Sequence, residues 1–320
     1  MSFKGLFYNN KRWLGGVFFA MMTVMTAGHA AATDKGYPMQ TDDTDWQAVI
    51  IPQASQRLMH SAITHKDYLI QVATIGKRPA NGYPVVYVLD GNAFFAPSIS
   101  IAQMLHGRPA QTQPKSLMIV GIGYPTNKQF DVASRTHDYT PPADSYPKPK
   151  GEQTAFGGAE RFYEFIEQEL TPMLDDTFGV NPHHRTLVGH SFGGLFGLYV
   201  LMKHGSSFNH YVIASPSIWW NDKSIYQYKS ALTPHDNIRH VLITLGEHEL
   251  SAMHKDSNLS ASSVSDSLAY QMSKFLEQRL AGVQVDFSFH ANYNHGMNAY
   301  PSLVHGLTMA YQSCWADEGC

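Results

Sequence analysis

The most chemically pointed stretch of the chain is Gly189-His190-Ser191-Phe192-Gly193, a serine between two glycines, preceded by the apolar pair Leu187-Val188 and followed by Gly194-Leu195-Phe196-Gly197-Leu198. If a buried strand leads in and a helix leads out, Ser191 sits on the sharp turn between them, its hydroxyl pushed out of the backbone as a nucleophile. Such a turn is strained, and close packing of strand on helix leaves little room for a Cβ at Gly189 and Gly193. A serine hydroxyl is a weak nucleophile on its own, so it needs a base, and the base needs a group to orient it. On a strand-turn-helix of this kind the chain order is serine, acid, histidine. His295, in Asn292-Tyr293-Asn294-His295-Gly296-Met297-Asn298, follows the last strand-like run and is the first candidate for the base, with His290 behind it. The chain holds 17 histidines, so position rather than residue type selects His295. For the acid, Gly246-Glu247-His248-Glu249 follows an apolar run; Glu249 comes first, then Glu247 and Asp256, and a Ser-His pair held without an acid stays open. The backbone N–H groups of Phe192 and Asn92 are the expected donors to the oxyanion of an acyl-transfer intermediate.

These residues need a scaffold, and the apolar runs supply one. Residues 46–51 and 68–75 read as strands that open a sheet antiparallel. Residues 85–89 and 117–122 are continuous apolar runs suited to strands buried on both faces, with helical spacing at 97–106 between them. Residues 124–158, dense in Pro, Tyr, Asp and Lys, read as one long irregular segment. A loop of that length leaving a strand's C-terminal end arrives at the rim of an active site. Phe162, Phe165, Ile166 and Leu170 mark an amphipathic helix over 159–174. Strands follow at 211–215, 241–245 and 283–289, with a helix over 262–279. The alternation predicts a doubly wound, mostly parallel sheet with antiparallel N-terminal strands in a single domain over 46–320, and the serine turn makes the expected fold that of an α/β hydrolase.

At 320 residues and 43% hydrophobic content the chain can bury a sizeable core. A formal net charge of −3 carries no polyanion signature, so nucleic acid is not an expected partner. Lys4, Lys11 and Arg12 precede an uncharged apolar stretch at 13–26 and then Ala27-Gly28-His29-Ala30-Ala31-Ala32. The apolar core is shorter than the roughly 20 residues that span a bilayer. The segment 1–30 therefore reads as an export signal cleaved after Ala30 or Ala32, with a loose lead-in at 31–45 and no stable membrane anchor afterwards. The protein is expected in the periplasm or the medium. Cys314 and Cys320, the only cysteines, read as a disulfide in an exported chain and are not expected to hold a metal.

Several stretches also share an order with a known family. Val88-Leu89-Asp90-Gly91-Asn92, the segment 135–142, Gly189 to Gly194 around the serine, Ser215-Pro216-Ser217-Ile218-Trp219-Trp220 and Asn294-His295-Gly296 together resemble the esterase D-like family of α/β hydrolases. Within it the likeness is to the siderophore esterases, the enterobactin and salmochelin trilactone hydrolases and ferri-bacillibactin esterases, over roughly residues 45–310. The resemblance implies a carboxylic ester hydrolase with Ser191 and His295 as its catalytic pair, working through an acyl-Ser191 intermediate and needing no cofactor. It marks the third member less sharply. An Fe(III)-catecholate siderophore is strongly anionic, so its site would want aromatic walls and a local cation. Arg135, Trp219 and Trp220 are placed to supply them; the structural alternative has Arg135 bracing its own loop through Asp131 or Asp138, with tryptophan packed beneath. The same machinery would also serve an acetyl or feruloyl ester on carbohydrate, or acyl transfer, and a disabled hydrolase would serve as a siderophore-binding protein.

Overall fold

Alternate residues of a strand face opposite sides, and both sides of this sheet are apolar. Val85, Tyr87 and Leu89 enter one buried cluster while Val86 and Val88 enter another, which is why residues 85–89 show no polar alternation. The structure, a computed structural model, describes residues 49–107, 116–153, 155–252 and 263–313. The strands are β1 (Ala54–His60), β2 (Asp67–Ile75), β3 (Tyr83–Leu89), β4 (Leu117–Gly123), β5 (Val180–His190), β6 (His210–Ala214), β7 (His240–Gly246) and β8 (Gln284–His290). They form one sheet in the order β1-β2-β4-β3-β5-β6-β7-β8. β1 pairs antiparallel with β2, and β2 with β4; every other pairing is parallel. This is the expected architecture, with the order reversing around β3 and β4 as a doubly wound sheet requires.

One face is covered by α1 (Gly91–His106), which follows β3, and α9 (Ala299–Ser313), which follows β8; the two pack against each other. The other face carries α2 (Val132–Tyr139), α3 (Ala159–Phe165), α4 (Thr171–Phe178), α5 (Phe192–His204) and α8 (Leu268–Arg279). A π turn at Ile166–Leu170 joins α3 to α4. Two short segments, α6 (Trp220–Lys223) and α7 (Glu247–Ala252), follow the C-terminal ends of β6 and β7. No helix among the described residues is long and apolar enough to cross a membrane.

Several sequence expectations change. Among residues 46–51, those described are not strand: Val49 and Ile50 are 95% and 81% exposed, and pairing begins at Ala54. An apolar run makes a strand only where a partner strand and a core meet it. Residues 124–158 are not wholly irregular, because α2 forms within them. The Asp131 side chain accepts from the Ser134 N–H to cap its start, and Pro141-Pro142 close it after Thr140. The first helix begins at Gly91 rather than 97 and runs through Pro97, since the Asp90 carbonyl already accepts from Ala93 and Phe94. The helix expected over 262–279 starts at Leu268, where the Ser267 hydroxyl caps it by accepting from Tyr270 N–H. α9 was not foreseen; its packing is so close that a Cβ on Gly306 would lie 2.6 Å from Val212. The signal at 1–30, the lead-in at 31–45, Asp256 and the Cys314 and Cys320 pair lie outside the described residues.

Candidate active site

β5 delivers Ser191 to the C-terminal edge of the sheet with φ 60° and ψ −115°, a strained conformation for a side-chain-bearing residue. The turn is held by the Ser191 N–H donating to Ala214 O at 2.9 Å and by the Ser217 N–H donating to Ser191 O at 3.1 Å. The two glycines that flank the serine are not equally crowded. A Cβ on Gly189 would stand 2.2 Å from Gly193 O, and one on Gly194 would stand 2.9 Å from Ala214 O. One on Gly193 would meet nothing nearer than 3.5 Å. The crowding therefore falls on Gly189 and Gly194, the positions where α5 crosses β5 and β6.

The loop after β8 places His295 with Nε2 2.9 Å from Ser191 Oγ. Its Nδ1 is 2.7 Å from Glu249 Oε2. The structure thus brings Ser191, His295 and Glu249 into one line, from the ends of β5, β8 and β7. Glu247 is exposed and accepts from the Asn292 N–H, away from the imidazole. His290, the runner-up base, turns inward to Asn298 at 2.6 Å.

Glu249 is 5% exposed, and its second oxygen is occupied: Oε1 accepts from the Ser215 hydroxyl at 2.6 Å and the Gly246 N–H at 2.7 Å. Burial pushes this carboxyl up, but the hydrogen bonds from His295, Ser215 and Gly246 outweigh it and hold it below the usual carboxylate range. It is an anion at neutral pH. His190 lies beside the pair, its Nε2 2.7 Å from His295 O. Since a carbonyl only accepts, His190 donates from Nε2 and steadies the loop that carries the base. Burial, followed by the proximity of His295, lowers His190 to about 3, so it stays neutral. Ser217, 1% exposed, sets its Oγ 3.2 Å from Ser191 Oγ. His190, Ser215, Ser217 and Asn298 were all missed in the sequence. For His190 and Ser215 the available signal was a polar residue at the end of an apolar strand, a position that in this sheet faces the catalytic edge; Ser217 and Asn298 lie further on, in the segments after β6 and β8, and carried no such mark.

The Phe192 N–H opens α5 and the Asn92 N–H lies in the first turn of α1, where helix amides lack carbonyl partners. The Asn92 side chain does separate work. It donates to Tyr124 O and Thr126 O, both at 3.0 Å, and accepts from Tyr124 N–H at 2.8 Å, locking α1 to the loop after β4.

Arg135 pairs with neither Asp131 nor Asp138. Its Nε and Nη2 donate to the two oxygens of Asp90 at 2.8 and 2.9 Å, and the pair is buried. Burial opposes the guanidinium charge, but Asp90 overcomes this and raises its pKa. Asp90 precedes Gly91-Asn92 at positive φ, so the ion pair fixes the backbone that leads into the Asn92 amide. Asp138 instead takes Lys66 at 2.6 Å together with Tyr68 and Tyr124. The tryptophans divide: Trp220 is 3% exposed and packs on Phe156 and Tyr146, whereas Trp219 is 46% exposed with its ring 6.3 Å from that of Phe192. Trp220 is a core residue rather than a wall open to substrate.

With this geometry in hand, the chain's likeness to known proteins is specific. The sequence profile of the family described as "Putative esterase" matches residues 61–286. The ferri-bacillibactin esterase BesA of Bacillus subtilis strain 168 is 35% identical over 216 residues, 65% of this chain and 74% of that protein. A siderophore enterobactin esterase of Emericella nidulans is 39% identical over 148 residues, covering 44% of this chain and 48% of that protein. Among solved structures, the BES protein of Bacillus cereus superposes with a TM-score of 0.71 at 31% identity, over 83% of this chain and 99% of that one.

Proposed function

The chain belongs to the esterase family of α/β hydrolases, and from that premise we propose that it is an exported serine esterase that opens the trilactone backbone of a catecholate siderophore. The observation that carries the chemistry is the unbroken line from Ser191 Oγ through the His295 imidazole to Glu249. With Nδ1–H donated to the carboxylate, Nε2 is left as an acceptor. His295 takes the Ser191 proton as Oγ attacks the ester carbonyl, and the oxyanion is met by the N–H groups of Phe192 and Asn92. Collapse expels the alkoxide, which takes the proton from His295 and leaves the acyl group on Ser191. A water activated by the same imidazole then releases the acid. The imidazolium formed in each half-reaction lies against the Glu249 anion, which favours the charge where it appears.

The siderophore reading is supported by the names of the relatives and by the half-exposed Trp219 beside Phe192, an aromatic wall at the mouth of the site. Arg135 enters this reading as the brace of the Asp90 turn rather than as a hand extended to the ligand. The experiment is hydrolysis by purified protein of an enterobactin-type trilactone with and without Fe(III), of acetylated xylan and of short p-nitrophenyl esters. The trilactone should be the best substrate, and Ser191→Ala should lower kcat/KM by about four orders of magnitude or more. Efficient deacetylation of xylan without trilactone cleavage would move the assignment to carbohydrate esters. N-terminal sequencing of the mature protein tests export, with the new terminus expected at Ala31 or Thr33.

A further inference from the structure

Asn298 has all of its hydrogen-bonding groups engaged in the interior, behind the acid rather than beside the nucleophile. It is fully buried. Its Nδ2 lies 2.7 Å from Ser215 Oγ and 3.1 Å from Thr244 Oγ1, and its Oδ1 lies 2.6 Å from His290 Nδ1. Its own N–H donates to Asn294 O, one residue before His295, and its carbonyl accepts from Ser302.

The directions of these bonds follow from one fact. Glu249 is ionised and can only accept, so the single proton of Ser215 must point at Glu249 Oε1. Ser215 must then accept from its other neighbour, and that neighbour is the carboxamide NH2 of Asn298. The carboxamide is thereby oriented with Oδ1 toward His290, which must carry its proton on Nδ1. We infer that Asn298 is a positioning residue for the reaction: it forces the Ser215 proton onto Glu249, and through Glu249 it keeps the His295 imidazole in the tautomer whose Nε2 can take the Ser191 proton. The chain of command runs Asn298, Ser215, Glu249, His295, Ser191, and its first two members never touch substrate. The inference rests on the proposed serine-esterase chemistry and adds to it the means by which an anionic acid is held at the end of β7.

The near-isosteric Asn298→Asp tests it. The new group cannot donate while ionised, competes for the Ser215 proton, and sets a like charge near Glu249 that His290, its other neighbour at 2.6 Å, offsets only in part, while His190, the other titratable ring packed on His295, is left unchanged. All three raise the proton affinity of the acid and draw positive charge onto His295. With a short p-nitrophenyl ester, kcat should fall about 10- to 100-fold with KM within about twofold, as expected for losing a hydrogen bond to a charged group. The acid limb of the kcat/KM profile should move up by roughly one pH unit. Ser215→Ala, which leaves Asn298 in place, should shift the limb in the same direction and carries the test should Asn298→Asp not fold. Ser98→Ala, which removes an equally buried hydroxyl that donates to Phe94 O within α1 and has no part in this network, should lower Tm and leave the limb where it is. A limb moved equally by Ser98→Ala would reduce Asn298 to a structural residue. So would wild-type kcat and an unmoved limb in both Asn298→Asp and Ser215→Ala while Ser191→Ala is inactive. Activity surviving in Ser191→Ala would instead overturn the underlying esterase reading.

Discussion

Three donors converge on the two oxygens of Glu249: the His295 imidazole on Oε2, and the Ser215 hydroxyl and Gly246 N–H on Oε1. A carboxamide of the same shape has one acceptor oxygen and cannot serve all three. Glu249→Gln must either turn its NH2 toward His295, which drives the wrong tautomer, or present it to the Gly246 N–H and leave a buried donor facing a donor. Loss of about 10³- to 10⁴-fold in kcat is expected, with the fold intact by circular dichroism. A loss under about tenfold would mean that the serine-histidine pair suffices, the arrangement that the sequence left open. At this scale the serine and histidine were legible because each sits in a short glycine-containing motif. The acid was not, because Glu247 and Glu249 are both acids in a single helical turn, and only the direction of that turn sends one inward and the other to solvent.

Where elements cross, backbone clearance decides which residues are allowed. α5 leaves the elbow so close to β5 and β6 that Gly189 and Gly194 face carbonyl oxygens, while a Cβ on Gly193 would make only ordinary contacts with Leu89 and Asp90. Gly193→Ala is therefore expected to fold with little change in Tm, and Gly189→Ala to be strongly destabilised or insoluble. Thermal melts of the two variants side by side would check this, and an equal loss in both would contradict the packing described. The G-x-S-x-G pattern pointed to both flanking glycines alike, since spacing reports that a turn is tight without reporting which side of it is crowded. The α2 cap at Asp131 was readable in principle, but a segment rich in proline and tyrosine masked eight helical residues.

Over the whole molecule, two buried histidines set an acid limit on stability. Burial first, then neighbouring histidines, hold His190 and His210 at about 3, against about 6.5 in an unfolded chain. The folded state binds fewer protons at these sites, so their contribution is complete above about pH 6.5 and is lost progressively as pH falls toward 3. Glu249 has the opposite chemistry and the same sign. Its lowered pKa favours the folded state above the unfolded carboxylate value near 4.3, and that contribution fades below it. Urea midpoints measured from pH 8 down to 4 should be level at first and then decline from about pH 6.5. His210→Leu, which removes a ring whose Nδ1 is buried with no hydrogen-bond partner among the described residues, should shallow the decline. Midpoints that stay flat between pH 6.5 and 4 would show that these rings are hydrated rather than buried.

The sequence by itself determined the chain order of the buried strands, the serine on its turn and the histidine beyond the last strand. Each is written in contiguous residues, as runs of apolar side chains or as glycine beside a reactive group, and local physics suffices to read them. The tertiary structure decided which carboxylate meets His295, why Arg135 is held by Asp90, which tryptophan is exposed, and that Asn298 stands behind the acid. Those pairings join residues far apart in the chain, 104 positions between Ser191 and His295 and 83 between Ser215 and Asn298. They exist only because strand register and the close seat of α9 on the sheet bring those ends to one edge.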